Sequence, residues 1–257
     1  MKTYGGYIID LDGTMYRGNQ VIDDAPQFIQ GLVEKNRSYV FLTNNSTRTQ
    51  EQVASKLNAM GIQASPEQIC TTSMATAKYI KKQKKDARCY VIGESGLSAA
   101  IQEEGLQLVH NENCDYVIVG LDREITYEKL AIGCLAIQQG AVFISTNSDV
   151  AIPSENGLLP GNGSLTSVLT VATGKQPTFI GKPEKIIVEE ALRLLGIKPE
   201  DTLIVGDNYE TDIKAGIAAN IDTLMVFTGV TPYEKYEKLS KKPTYHVKKL
   251  QEWMKNI

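Results

Sequence analysis

The sequence predicts an α/β protein in which a doubly wound parallel sheet carries a second α/β domain as an insertion. Short apolar runs recur along the 257 residues, and a helical pattern follows most of them. The runs show little alternation of apolar and polar residues, which is typical of parallel strands that helices cover on both faces. The chain is also long enough for two domains, each with its own buried core.

Eight apolar runs are predicted to be strands, and seven segments between them to be helices. The strands are expected over 7–9, 39–42, 90–93, 116–121, 142–145, 178–180, 202–205 and 223–227. The helices are expected over 26–35, 49–60, 127–138, 164–172, 184–195 and 212–219, with one more beginning at Ser95. Helix 184–195 has the expected boundary signals, because Pro183 precedes it and Gly196 follows it.

The middle of the chain has a strand–helix alternation of its own, which indicates an inserted domain. We therefore expect a discontinuous core domain over 1–80 and 177–257, and an inserted domain over 81–176. Within the insertion, 147–164 is rich in Gly, Pro, Asn and Ser, and it is expected to form a long loop. Loops of that length inside compact domains are usually functional or disordered.

Composition argues against several classes of protein. The net charge of −3 gives no electrostatic reason to expect nucleic acid or membrane partners. No stretch approaches the about 18 apolar residues that a membrane span needs, and no signal sequence is apparent. Only two histidines occur, which disfavours a Ser-His-Asp triad or a histidine-rich zinc site. The four cysteines lack paired spacing, so we expect reduced thiols in a cytoplasmic protein.

Polar residues follow four of the predicted strands at the point where each strand ends. They are Asp10, the Thr43-Asn44-Asn45 triplet, Lys182 and Asp207. Because functional sites of open parallel sheets form beyond the carboxyl ends of the strands, these side chains are expected at one rim. Asp12 lies only two residues beyond Asp10, so two carboxylates that repel each other must share this rim.

These residue types together favour phosphoryl transfer. Carboxylate oxygens suit Mg²⁺ better than zinc or copper, and a divalent cation would offset the repulsion between the carboxylates. An ionised aspartate can attack phosphorus, and Lys182, Thr43 and Asn44 can stabilise charge on the phosphoryl oxygens. Asp12 can then serve as the acid that protonates the leaving group. Thr14 is interpreted as an N-cap or turn residue rather than a catalyst.

The four strand ends resemble the motifs of the haloacid dehalogenase (HAD) superfamily. The segments DLDGT, TNN, GKP and GDNYETD occur in the family's order, and the second aspartate favours a phosphatase over a dehalogenase. An insertion between the second and third motifs resembles subfamily IIA, the NagD-like and p-nitrophenylphosphatase-like enzymes. The segment ISTNSDVAIPSENGLLPGNGSLTSVL is similar to the acid sugar phosphatase branch. The resemblance implies a Rossmann-like core with a C2-type cap.

The resemblance also implies a role for each motif residue. Asp10 would be the nucleophile and a Mg²⁺ ligand, and Asp12 would be the general acid/base, with its backbone carbonyl on the metal. The residues expected to hold the phosphoryl group are Thr43, Asn44, Asn45 and Lys182. Asp207 would be the third metal ligand, and Asn208 and Asp212 would bind its waters or orient Lys182. For Asp212, an N-cap or first-turn role is an alternative.

The same resemblance implies small phosphomonoesters as substrates, such as sugar phosphates and acidic sugar phosphates, with p-nitrophenyl phosphate cleaved in vitro. Asn147, Asp149, Glu155 and Asn162 are the candidates for contact with the leaving group, and a plain surface connection is the alternative for each. A homodimer through the cap is a further expectation. Three alternatives to a phosphatase stay open: a phosphoaspartate signalling or binding domain, a catalytically inactive scaffold and a sugar phosphotransferase.

Overall fold

Strands and helices alternate along the chain, as the sequence predicts. The structure is a computed structural model that describes residues 2–154 and 156–257, and for 153 and 154 it describes the backbone alone. Fifteen strands occur within these residues: β1 (Gly6–Asp10), β2 (Tyr16–Arg17), β3 (Gln20–Val21), β4 (Ser38–Thr43), β5 (Ile69–Thr71), β6 (Arg88–Ile92), β7 (Gln107–Val109), β8 (Tyr116–Val119), β9 (Val142–Ser145), β10 (Ala151–Ser154), β11 (Gly157–Pro160), β12 (Thr178–Phe179), β13 (Thr202–Gly206), β14 (Asp222–Val226) and β15 (Tyr245–Val247).

Eight α-helices connect these strands in the described part of the chain. They are α1 (Ala25–Glu34), α2 (Gln50–Ala59), α3 (Thr72–Gln83), α4 (Ser95–Glu103), α5 (Tyr127–Gln138), α6 (Asn162–Thr173), α7 (Lys185–Leu195) and α8 (Lys214–Ala218). A π-helical turn over Tyr209–Ile213 precedes α8. Short 3₁₀ turns occupy Pro66–Gln68, Pro199–Asp201, Tyr233–Lys238 and Leu250–Asn256.

Two compact units divide the chain. The core unit consists of Met1–Thr43, Gln50–Cys70 and Lys182–Ile257, and the inserted unit of Asn44–Thr49 and Thr71–Gly181. The inserted unit contains the whole range 81–176 that the sequence assigned to an inserted domain, and it is larger at both ends. It also takes in the six residues that follow β4, so the turn after Thr43 belongs with the insertion.

The core unit is built on a six-stranded sheet in the order β15-β14-β13-β1-β4-β5. β1 is central, and it pairs in parallel with β13 on one side and with β4 on the other. Its residues from Gly6 to Ile9 are buried, which explains why the strand is apolar on both faces. The predicted doubly wound parallel sheet is confirmed, and β5 and β15 extend it beyond the strands that the sequence predicted.

The inserted unit has its own parallel sheet of five strands, in the order β12-β9-β8-β6-β7. β8 is central and fully buried, and it pairs with β6 and β9. Tyr90, Ile92, Val117 and Phe143 form part of an apolar cluster in this unit, which receives Leu169 from α6. The inserted unit therefore has an apolar cluster of its own.

Two local predictions are wrong. The segment 147–164 is not one long loop, because β10 and β11 pair as an antiparallel hairpin within it. Pro153 obscured this strand in the sequence, since proline is tolerated in edge strands but is rare in central ones. The helix expected over 212–219 is also shorter, because its first turn is the π-helical turn that begins at Tyr209.

No helix within the described residues is both long and apolar enough to cross a membrane. All four cysteines are present as free thiols, two of them buried.

Candidate active site

The rim of the core sheet collects the charged residues that follow its central strands. β1 lies between β13 and β4, with Ile9 opposite Val205 and Asp10 opposite Leu42. The carboxyl ends of the three strands therefore lie side by side. This arrangement delivers Asp10, Thr43 and, one residue beyond β13, Asp207 to the same edge of the sheet.

Lys182 lies at the centre of this rim and connects two of its carboxylates. Its ammonium donates to Asp10 Oδ1 at 2.5 Å, to Asp212 Oδ1 at 2.7 Å and to the Leu42 carbonyl at 3.2 Å. The side chains of Lys182 and Asp212 are only 3% and 1% exposed. The ammonium thus uses three N–H groups on three oxygens, and it fixes Asp10 relative to the turn that carries Asp212.

Asp207 is held by groups that the sequence did not mark as functional. Its Oδ2 accepts from the backbone N–H of Val230 at 2.6 Å, and its Oδ1 lies 3.1 Å from the Thr14 hydroxyl. The same hydroxyl lies 3.2 Å from Asp10 Oδ2. Thr14 does occupy a turn, as predicted, because Met15 N donates to Leu11 O there. Its hydroxyl has a second task between the two carboxylates, which the sequence interpretation missed.

Two glycines allow this close packing around Asp207. A Cβ atom added to Gly13, whose φ is +94°, or to Gly229 would collide with the Asp207 carboxylate. The two segments are also joined directly, since the Thr228 hydroxyl donates to the Gly13 carbonyl at 2.6 Å. The turn after β1 and the segment after β14 therefore enclose Asp207, and larger residues at either glycine would displace it.

Asn208 and Asp212 organise the turn that follows Asp207. The Asn208 side chain accepts from Glu210 N at 3.0 Å and so caps the π-helical turn, and Asp212 Oδ2 accepts from Asn208 N at 3.0 Å. Asp212 thus has two sets of contacts. Its carboxylate stabilises a helical first turn through one oxygen and contacts Lys182 through the other.

The cluster has too little positive charge for its carboxylates. Burial raises the pKa of Asp10 well above its usual range, and Asp212 raises it further while Lys182 opposes the shift. Burial, followed by the charge of Asp212, raises the pKa of Asp207 to about 6. For Lys182, burial alone would lower the pKa, but the Asp10 and Asp212 carboxylates outweigh it and raise the pKa. An additional cation would therefore stabilise the ionised carboxylates.

The donor set of the cluster fits a hard divalent cation. One carboxylate oxygen from each of Asp10, Asp207 and Asp212 lies within 4.8 Å of the others. All of these donors are oxygens, which suits Mg²⁺ rather than zinc or copper. The sequence predicted Asp10 and Asp207 as ligands, and the structure places Asp212 beside them.

Asp12 differs from its neighbour in its surroundings. Its side chain is exposed, and its residue forms an isolated bridge with Tyr16. Partial desolvation raises the pKa of Asp12, against the opposing charge of Lys56. The Lys56 ammonium lies 3.6 Å from the centre of the Tyr16 ring and donates to the Gly18 carbonyl at 2.8 Å. A carboxyl with a raised pKa at an open position suits proton transfer.

The remaining predicted residues belong to the inserted unit, and most of their side chains are engaged in hydrogen bonds. Asn45 Oδ1 accepts from Thr47 N at 2.9 Å and from Arg48 N at 3.2 Å, so it closes a turn. Asn162 is 2% exposed and donates to Ser145 Oγ at 2.9 Å. Glu155 lies outside the described residues.

Asn44, Asn147 and Asp149 are joined to one another. Asn147 Nδ2 donates to the Asn44 carbonyl at 2.8 Å, and Asn44 Nδ2 lies 3.2 Å from Asp149 Oδ2. Asn147 Oδ1 in turn accepts from Asp149 N at 3.1 Å. These bonds connect two residues predicted to contact the leaving group with one predicted to hold the phosphoryl group.

Comparison with known proteins supports one family. A model described as haloacid dehalogenase-like hydrolase matches residues 7–107, and one described as HAD-hydrolase-like matches residues 179–253. The chain is 60% identical to the 5'-nucleotidase YutF of Bacillus subtilis, over 100% of both proteins. It is 52% identical to an acid sugar phosphatase of Staphylococcus saprophyticus, over 100% of this chain and 99% of that protein. The solved structure of the p-nitrophenyl phosphatase from Archaeoglobus fulgidus superimposes with a TM-score of 0.95, at 32% identity and with 100% of both chains covered.

The chain therefore belongs to the haloacid dehalogenase-like hydrolases. Within them it is a member of the NagD-like and p-nitrophenylphosphatase-like branch, and it is a phosphatase of the HAD type. The fold, the family and the enzyme class predicted from the sequence are confirmed.

Proposed function

We propose that the protein is a Mg²⁺-dependent phosphatase that hydrolyses small phosphomonoesters through an aspartyl-phosphate on Asp10. The observation that carries this proposal is the cluster of three carboxylates beside the buried Lys182 at the rim of the core sheet. Bound Mg²⁺ would supply positive charge beside the transferring phosphoryl group. Asp10, Asp207 and the backbone carbonyl of Asp12 would hold it, with Asp212 close by.

The reaction proceeds in two displacements at phosphorus. The Asp10 carboxylate attacks, the bond between phosphorus and the ester oxygen breaks, and Asp12 gives a proton to the leaving alkoxide. Water then attacks the aspartyl-phosphate, Asp12 takes the proton from that water, and inorganic phosphate leaves. Asp10 is thereby restored as a carboxylate, and no proton is gained or lost by the protein over the cycle.

Positioning of the phosphoryl group completes the mechanism. Lys182 supplies a charge already fixed beside Asp10, and Thr43 supplies a hydroxyl. The turn that begins with Asn44 and Asn45 supplies main-chain N–H groups. Because the Asn44 and Asn45 side chains serve hydrogen bonds within the inserted unit, their main-chain groups are the better candidates for phosphate contact.

For the substrate, we propose small organic phosphates such as sugar phosphates and nucleoside monophosphates. The relatives named an acid sugar phosphatase and a 5'-nucleotidase support this class. The inserted unit would act as the cap domain that selects the leaving group, and its assembly into a homodimer stays a prediction. Two alternatives differ in the fate of the phosphoryl group: a signalling domain would keep a long-lived aspartyl-phosphate, and a phosphotransferase would pass the group to a second substrate instead of releasing inorganic phosphate.

Substitution of the nucleophile tests the proposal. Asp10→Asn keeps the size of the side chain but removes the attacking charge, so it should abolish Mg²⁺-dependent phosphate release from p-nitrophenyl phosphate. Asp23→Asn, the same change at an exposed aspartate of the core unit, is the matched control and should keep full turnover. Wild-type turnover in Asp10→Asn would contradict the role of Asp10 as nucleophile. Full activity after EDTA treatment would contradict the requirement for Mg²⁺. An aspartyl-phosphate that persists for minutes in the wild type would favour a signalling domain.

A further inference from the structure

The turn that follows Thr43 is held by side chains distant in sequence. The Asn44 carbonyl accepts from Asn147 Nδ2 at 2.8 Å and from the Thr72 hydroxyl at 2.9 Å. The Asn44 carboxamide lies 3.2 and 3.3 Å from the two oxygens of Asp149. Because a carboxylate only accepts, the amide nitrogen of Asn44 must face Asp149. The backbone carbonyl and the side-chain nitrogen of Asn44 are therefore both used within the inserted unit.

The two residues that hold Asn44 are themselves firmly placed. Asn147 is 5% exposed, and its carbonyl accepts from Asn162 Nδ2 at 2.7 Å and from the Ser145 hydroxyl at 3.0 Å. Asn147 Oδ1 accepts from Asp149 N at 3.1 Å, which fixes the Asp149 backbone. The loop after β9 is thus a rigid support for Asn44, and Asn147 has its amide nitrogen and oxygen both engaged.

We propose that Asn147 and Asp149 are positioning residues that orient the phosphate-binding turn through Asn44. They act on phosphate affinity and not on recognition of the leaving group. The proposal rests on the proposed function, in which the Asn44 turn contacts the phosphoryl group. Its physical basis is that donors held in place before binding lose less conformational freedom when phosphate arrives.

Inorganic phosphate, which has no leaving group, separates the two roles. Asn147→Asp removes the donor to the Asn44 carbonyl and sets a carboxylate oxygen against it at nearly constant size. Asp149→Ala removes the acceptor of the Asn44 amide. Each variant should raise the inhibition constant of inorganic phosphate by about tenfold, as expected for loss of one hydrogen bond to a charged or buried partner. The kcat/KM values for p-nitrophenyl phosphate and for a sugar phosphate should fall by the same factor.

Matched variants separate positioning from a merely structural role. Asp149→Asn keeps an oxygen that accepts from Asn44, so it should restore most of the phosphate affinity. Ser148→Ala, at the exposed residue between the two, should leave the inhibition constant unchanged. Thermal unfolding of every variant shows whether a loss comes from misfolding.

A double-mutant cycle tests whether Asp149 acts through Asn44. In the Asn44→Ala background the amide is gone, so Asp149→Ala should have no further effect on the inhibition constant of phosphate. An undiminished effect there would overturn the proposal. So would folded Asn147→Asp and Asp149→Ala enzymes that bind phosphate like the wild type and lose activity on one substrate only. These outcomes are independent of Asp10→Asn, which tests the proposed function itself.

Discussion

The core unit and the inserted unit each contain a cluster of charged side chains, and the two clusters are balanced in opposite ways. In the core unit the carboxylates of Asp10, Asp207 and Asp212 cluster at the ammonium of Lys182, which contacts Asp10 and Asp212, and the side chains of Asp207 and Asp212 are buried. Negative charge is in excess there, and burial increases the free-energy cost of keeping the carboxyl groups ionised.

In the inserted unit the excess is positive. The Asp115 carboxylate lies 3.0 Å from Lys84 Nζ and 3.3 Å from an Arg88 guanidinium nitrogen, and it also accepts from Arg88 N at 2.8 Å. Burial would raise the pKa of Asp115, but the Arg88 N–H and the Lys84 ammonium outweigh it and lower the pKa to about 2. The pKa of Asp207 moves the other way, to about 6. A cluster whose carboxylates are costly to ionise marks a functional site, whereas a satisfied ion pair marks a structural one.

The largest effect is expected from removal of the one cation of the core cluster. Lys182→Met should abolish phosphatase activity. In metal-free protein near neutral pH it should also lower the free energy of unfolding by about 3–5 kcal/mol, because it leaves buried carboxylates uncompensated. Urea unfolding and p-nitrophenyl phosphate hydrolysis measure the two losses. Lys185→Met, at a lysine whose side chain is 66% exposed, is the control and should change neither. If Lys182→Met and the wild type were equally stable without metal, the inferred excess of negative charge in the core cluster would be contradicted.

The second largest effect is expected on the pH dependence of stability, with and without Mg²⁺. The Asp207 carboxyl has a pKa of about 6 in the folded protein, above its usual value of 3.8. The folded state therefore binds this proton more tightly than the unfolded state. The stability that this carboxyl contributes in metal-free protein is complete below its usual pKa, and it is lost as pH rises through the folded value.

Mg²⁺ should compensate for this loss, because it stabilises the ionised form. At about a hundred times its Kd, Mg²⁺ adds about 2.7 kcal/mol near neutral pH, and it should add less near pH 5, where protons compete. Thermal unfolding with and without Mg²⁺ at both pH values measures the difference. Asp207→Asn is the control, since residue 207 then cannot titrate and the pH dependence of the metal-free protein should become smaller. If the stabilisation by Mg²⁺ were the same at both pH values, the assignment of Asp207 as a Mg²⁺ ligand would be contradicted.

The strand ends of the core unit could be predicted from the sequence, but the hydrogen bonds around Asp207 could not. Apolar runs that end in a polar residue locate the strand ends, and the parallel order of β4, β1 and β13 gathers Asp10, Thr43 and Asp207 without knowledge of the register. The prediction that Lys182 follows a strand of the same sheet is wrong, because β12 pairs with β9 in the sheet of the inserted unit. The hydroxyl of Thr14 and the backbone N–H of Val230 on Asp207 could not be predicted. A turn threonine has many uses, and a backbone donor has no signature in the sequence.

The hydrogen-bond partners of the polar residues in the inserted unit were even harder to predict from the sequence. Asn147, Asp149 and Asn162 were expected to contact the leaving group because they lie in a Gly-rich segment. Their hydrogen-bond partners include residues up to about a hundred positions away, such as Asn44. An amide donates and accepts equally well, so its partner depends on tertiary contacts that composition does not encode. Contact of Asn162 with the leaving group stays a prediction, whereas for Asn147 and Asp149 the inferred role is to position Asn44.

The smallest effect is expected at Asp115, the centre of the satisfied cluster. Asp115→Asn keeps an acceptor for Arg88 N but removes the charge that pairs with Lys84 and Arg88. Since those two side chains are 46% and 39% exposed, the pairs are screened by water. The free energy of unfolding near neutral pH should fall by only about 0.5–1 kcal/mol, and phosphatase activity should not change.

The sign of the pH dependence at Asp115 is opposite to that at Asp207. Its pKa of about 2 in the folded protein lies below the usual 3.8, so its contribution is complete above the usual value and is lost as pH falls through the folded one. Urea unfolding should therefore separate the wild type from Asp115→Asn near neutral pH, and the two should converge in strong acid. Asp86→Asn, at an exposed acid of the same unit, should match the wild type throughout. If Asp115→Asn were as damaging as Lys182→Met, charge balance would not distinguish the functional cluster from the structural one.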